Sequence, residues 1–89
     1  TVVAAQAAND LLDIVGVKAS FVFTMHNGIV FVSGRSIDEV NVQMILERLG
    51  GGGHRNVAGA QFKDETVDEV RSKVKNLVLD MLKKGELTE

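Results

Sequence analysis

Two short stretches hold the residues whose types and spacing could do chemistry. In the first, Gly50, Gly51, Gly52 and Gly53 run directly into His54 and Arg55. Four consecutive glycines remove every β-carbon, so the backbone can take left-handed angles and approach a ligand closely. Amides exposed in such a turn form an anion-binding concavity, and His54 and Arg55 add switchable and charged donors beside it. The second stretch is Ser33-Gly34-Arg35-Ser36, which closes a segment rich in β-branched and aromatic residues. An arginine at the end of a strand leaves room to fork a phosphate or a carboxylate.

Several familiar chemistries are excluded. No Lys-Ser/Thr follows the glycines, as a P-loop requires. The run also lies after a helix pattern and before a strand pattern, the reverse of a dinucleotide fingerprint. The anion site therefore falls to the loop amides rather than to a helix terminus. There is no cysteine, and neither histidine comes with the carboxylate and histidine cluster of a metal centre. His26 reads as a solvated turn residue, His54 as a donor to phosphate or base. No nucleophile-base pair or paired carboxylates stand out, and Asp64, Glu65, Asp68 and Glu69 read as loop and cap charges. The chain reads as a binding lobe without catalytic machinery of its own.

The elements that must position these residues follow from periodicity. Ala4, Ala7, Ala8, Leu11, Leu12 and Val15 predict a helix over 2–15. Ala19 to Met25 and Ile29 to Gly34 predict two strands joined at Asn27-Gly28, pairing Met25 with Val30, Phe23 with Val32 and Phe21 with Gly34. Phe21, Phe23, Met25, Val30 and Val32 then form the core face, while Val22, Thr24, Ile29, Phe31, Ser33 and Arg35 form a mixed face. A second helix carries Val42, Ile45, Leu46 and Leu49, with Asn41 as N-cap and Ser36 with Glu39 as a competing capping box. Val57 to Lys63 is a third strand. Thr66 and Glu69 box the start of a third helix that Gly85 ends. The expected fold is α/β (α+β): a small mixed sheet with helices packed on it, in the order α-β-β-α-β-α. The third strand joins the hairpin, with a parallel crossover through the second helix open to it. A free edge strand favours a homodimer or docking on a neighbouring domain.

At 89 residues and 45% hydrophobic, the chain is one domain spanning residues 1–89. A net charge of −2 argues against binding nucleic acid by bulk electrostatics. No apolar run approaches the roughly 20 residues of a membrane span, so no direct membrane contact is expected, and the lack of cysteine is compatible with a cytoplasmic location. Starting at Thr1 rather than Met suggests a piece of a longer protein.

Ser33-Gly34-Arg35-Ser36, an intervening helix, Gly50 to Arg55 and the small strand at Ala58-Gly59 resemble the DHH-associated C-terminal domain of DHH-family phosphoesterases. The resemblance runs over roughly residues 1 to 85 and is nearest to the GdpP-type cyclic-di-AMP phosphodiesterases, with features shared by nanoRNases. It implies that Gly51, Gly52, Gly53 and His54 grip a phosphate or nucleotide, with Arg55 adjoining. It also implies that Arg35 and Ser36 fix a second phosphate or the far end of the substrate. Manganese would be held by an N-terminal DHH lobe of the same chain and none by this domain, which alone would be inactive. The parent would be anchored in the bacterial cell membrane, with this lobe in the cytoplasm. The same lobe in a nanoRNase acting on short oligonucleotides is the alternative enzyme. A nucleic-acid-binding or dimerisation module and a docking domain with an incidental glycine loop are the non-catalytic alternatives.

Overall fold

The computed structural model describes residues 10–13 and 17–88. Among them the chain runs β1 (Asp10–Asp13), β2 (Ala19–His26), β3 (Ile29–Ser36), α1 (Val42–Glu47), β4 (Gly52–His54), β5 (Val57–Lys63) and α2 (Val67–Lys83). The strands form one sheet in the order β1-β2-β3-β5-β4. The α+β class holds, and each pairing among the described residues is antiparallel.

Asn27 and Gly28 take φ of 51° and 75°, the left-handed angles of a type I′ hairpin turn. The register follows as read: Met25 faces Val30, Phe23 faces Val32 and Phe21 faces Gly34. β5 runs antiparallel to β3, with Val32 opposite Ala60 and Gly34 opposite Ala58, so the parallel crossover is not used.

One expected element is overturned. Asp10–Asp13, read as part of a first helix, is strand β1, paired with β2 from Asp10 opposite Phe23 to Asp13 opposite Ser20. The open side of β2 offers a ladder of backbone groups, and tertiary pairing of that kind overrides helical spacing. The remainder of the expected helix lies outside the described residues.

α1 begins where Asn41 caps it, its side chain accepting from the Met44 N–H at 3.1 Å. The competing Ser36 and Glu39 box does not form, because the Ser36 hydroxyl instead donates to the Val40 carbonyl at 2.8 Å. The helix ends at Glu47, short of Leu49, which still packs half-buried on the core. The Gly50 N–H bonds the Glu47 carbonyl and the Gly51 N–H bonds the Leu46 carbonyl, with Gly50 at φ 88°. That is a Schellman stop. α2 has the expected Thr66–Glu69 capping box and stops in the same way, with Gly85 at φ 71° and Gly85 and Glu86 bonding back to Leu82 and Met81.

Phe21, Phe23, Val30, Val32, Ala58, Ala60 and Phe62 supply the sheet's share of the core. Val42, Ile45 and Leu46 of α1 and Val70, Val74, Val78 and Met81 of α2 complete it. Met25, expected there, is 39% exposed, because it sits at the end of β2 next to the protruding turn. Beyond α2, Leu87 is buried and its carbonyl accepts from the Asn41 N–H at 2.9 Å. The end of the chain thereby clamps the start of α1.

Candidate functional site

Cross-strand partners stand on the same face of a sheet, and alternate residues along a strand share that face. Arg35 is opposite Val57, and Val57 is opposite His54. Arg35, Val57 and His54 therefore form one row on the face away from the helices, with Arg35 and His54 two strand spacings, about 10 Å, apart. All three are exposed. Among the described residues neither Arg35 nor His54 makes a side-chain hydrogen bond or ion pair within the domain.

The next row is Ser33, Gly59 and Gly52. Two adjacent glycines leave that part of the sheet without side chains, flanked by the cation of Arg35 and the imidazole of His54. The following row holds Phe31 opposite Gln61. Cover on this face increases toward β2, where Thr24 is buried.

The four glycines, expected as one anion-binding loop, have separate roles. Gly50 ends α1. A β-carbon on Gly51 would lie 2.1 Å from the Gly59 carbonyl oxygen and 2.7 Å from the Ala60 Cβ. Gly53 has φ 148°, and a β-carbon there would meet Ala58 and Val57 at 2.6 Å. These two let β4 approach β5. A β-carbon on Gly52 would meet nothing within 4 Å, so its bareness has no internal cause. Since the Gly50 and Gly51 amides serve the helix end, and β4 spends alternate backbone groups on β5, the backbone left for a ligand is the outer side of 52–54, which no strand among the described residues pairs.

Ser36 and Arg55 are turned to other tasks. Ser36 is buried on the core side, its hydroxyl bonding the Val40 carbonyl and accepting from the Asn56 amide at 3.1 Å. The Arg55 guanidinium donates to the Glu39 carbonyl at 2.9 Å. The Arg55 carbonyl accepts from the Val42 N–H at 2.9 Å, and that of Asn56 from the Ser36 N–H at 3.0 Å. Arg55 and Asn56 thus fasten the β4–β5 turn to the end of β3 and the start of α1. Asn56 was missed in the sequence; its only signal was an asparagine at a turn.

Arg35 also borders a cleft of about 280 Å³ formed with 17–20 and 36–37. Lys18 there bonds Asp38 at 3.2 Å, and this hydrogen bond, followed by the charge of Glu39, raises its pKa above the usual lysine value. The donor set does not fit a metal centre: among the described residues no three His, Asp or Glu side chains are grouped to hold one. His26 and His54 lie at opposite ends of the sheet, roughly 20 Å apart along β3. No helix among the described residues is long and apolar enough to cross a membrane.

A hairpin, a glycine-capped helix and an Arg–His face on an antiparallel sheet define a small α+β domain, and its sequence places it in a family. Residues 1–80 match the model of the DHHA1 domain, and the chain belongs to that family. It is 45% identical over 87 residues to the cyclic-di-AMP phosphodiesterase PdeA of Listeria monocytogenes serotype 1/2a (strain 10403S), covering 97% of this chain and 13% of that protein. It is 45% identical over 86 residues to GdpP of Geobacillus thermodenitrificans (strain NG80-2), covering 96% of this chain and 13% of that protein. Over 85 residues it is 39% identical to GdpP of Bacillus subtilis (strain 168), covering 94% and 13% respectively. Both GdpP proteins are named cyclic-di-AMP phosphodiesterases. The chain spans about 13% of the length of these relatives.

Proposed function

We propose that this domain is the substrate-binding lobe of a manganese-dependent phosphodiesterase that opens cyclic-di-AMP to a linear dinucleotide. The observation that carries the reading is the row of Arg35 and His54 beside the bare Gly52–Gly59 strip. The activity for which the relatives are named supports the choice of substrate. Arg35 supplies a permanent fork for a phosphate, and His54 supplies a ring N–H. Gly52 and Gly59 let the ligand backbone lie against the sheet without a steric barrier.

The manganese belongs, in this reading, to a DHH lobe of the same protein, where it would supply the activation of water. This chain's residues bind and orient the dinucleotide and close over that lobe. The parent enzyme is anchored in the bacterial cell membrane, and this lobe works on its cytoplasmic side.

In the full-length enzyme, Arg35→Ala and His54→Ala should each raise KM for cyclic-di-AMP about ten- to a hundredfold, the loss expected for a charge-assisted hydrogen bond. Thermal melting should not move, because both side chains are exposed and, among the described residues, have no partner. Wild-type kinetics in both variants would reject the phosphate-binding role of this face.

A further inference from the structure

Phosphate binding leaves one part of the same face unused. A cleft of about 400 Å³ opens beside the Arg35–His54 row, between Phe31 and Gln61 on one side and Gly50, Gly51 and Gly59 on the other. Phe31 is half-buried, with part of its surface facing the opening, and Gln61 is exposed. Among the described residues the Gln61 amide has no hydrogen-bond partner. The opposite wall is backbone without side chains. Its Gly51 could not carry one, since a β-carbon there would run into Gly59 and Ala60.

We propose that this cleft is the nucleobase site of the domain, a placement that rests on the phosphate-binding role assigned above to Arg35 and His54. Along β3, Phe31 and Arg35 are four residues apart, about 14 Å, with Ser33 between them. A nucleotide laid along that line puts its phosphate at Arg35 and His54 and its sugar over the Gly52–Gly59 strip. Its base then enters the cleft, an aromatic ring on one side and bare backbone on the other. Phe31 provides the stacking surface. Gln61 provides one acceptor and one donor side by side, which matches the N6 amino group and N7 of adenine. On that same edge guanine presents O6 and N7, both acceptors, and leaves the amide oxygen of Gln61 unmatched. A base read on its N7 edge is therefore selected as adenine over guanine.

The test is kcat/KM of the full-length enzyme on cyclic-di-AMP and on cyclic-di-GMP. Gln61→Ala, at an exposed position, should lower the adenine-to-guanine ratio about tenfold, within the range of one bidentate base contact. Gln61→Arg, whose fork suits two acceptors, should move the ratio further toward guanine. Phe31→Leu keeps apolar volume but loses the ring face, and should raise KM for both substrates about tenfold with its melting temperature monitored in parallel. An unchanged ratio in both Gln61 variants together with wild-type KM in Phe31→Leu overturns the base site. Arg35→Ala separates this from the underlying reading: it should raise KM for both dinucleotides without altering their ratio. If Arg35→Ala acts while the Phe31 and Gln61 variants do not, only the base site falls. If none of them acts, both do.

Discussion

The β2–β3 and β4–β5 hairpins each turn on two residues, Asn27-Gly28 and Arg55-Asn56, yet they are held in opposite ways. Asn27 and Gly28 adopt the positive φ angles that match the twist of the strands, and the turn stands exposed with little around it. Neither Arg55 nor Asn56 has positive φ. Their turn is instead fastened from outside: Arg55 to the Glu39 carbonyl, Asn56 to Ser36, and the Arg55 carbonyl to the first amide of α1. A hairpin that only reverses the chain can be specified by its own two residues. The one that sets His54 beside Arg35 is specified by segments 13 to 20 positions earlier in the chain, and Gly51 and Gly53 are the glycines its contact with β5 requires.

That contrast can be broken experimentally, most severely at Gly51. Gly51→Ala forces a β-carbon onto the Gly59 carbonyl and should cost about 3 kcal/mol, the upper range for overpacking, read as a lower denaturant midpoint. Wild-type stability in that variant would mean β4 does not lie this close to β5. Gly52→Ala, pointing into open space, should stay within about 0.5 kcal/mol, which makes it the matched control.

Asn56→Ala comes next. It removes the bond to the buried Ser36 hydroxyl and should cost about 2 kcal/mol, while KM rises because the Arg35–His54 spacing loosens. Gly28→Ala should cost about 1 kcal/mol through its left-handed φ alone and leave KM unchanged. A rise in KM from Gly28→Ala would end the distinction between the two hairpins.

The smallest effect concerns Lys18, which tethers the segment that Arg55 grips. Its pKa is raised in the folded state, so its contribution is fully present below pH 10.5 and is lost as pH rises through the raised value. Lys18→Met should therefore flatten a slight fall in melting temperature on the alkaline side. Because Asp38 and Lys18 are about half exposed, no larger change is expected.

Much of the fold was legible because its signals are local. Asn27-Gly28 set the hairpin and its register, Val57–Lys63 alternated cleanly, and Asn41, Thr66 with Glu69 and Gly85 marked helix ends through their own side chains or lack of one. Asp10–Asp13 was misread because helical spacing cannot register the open edge of β2. In the site, Arg35, the glycines and His54 stood out by type. Asn56, Phe31 and Gln61 did not, since each matters through a neighbour distant in sequence.

The chain's own residue order thus dictated which segments bend, cap and alternate, as these depend on φ preferences and on bonds within a few residues. Folding alone decided that Gly50, Gly51, Gly52 and Gly53 would serve different ends, because a β-carbon is forbidden only by what lies across the sheet from it. It also turned Ser36 and Arg55 toward the scaffold and left Arg35 and His54 exposed side by side on the open face. Strand pairing, not spacing in the sequence, brings two residues 19 positions apart into one row.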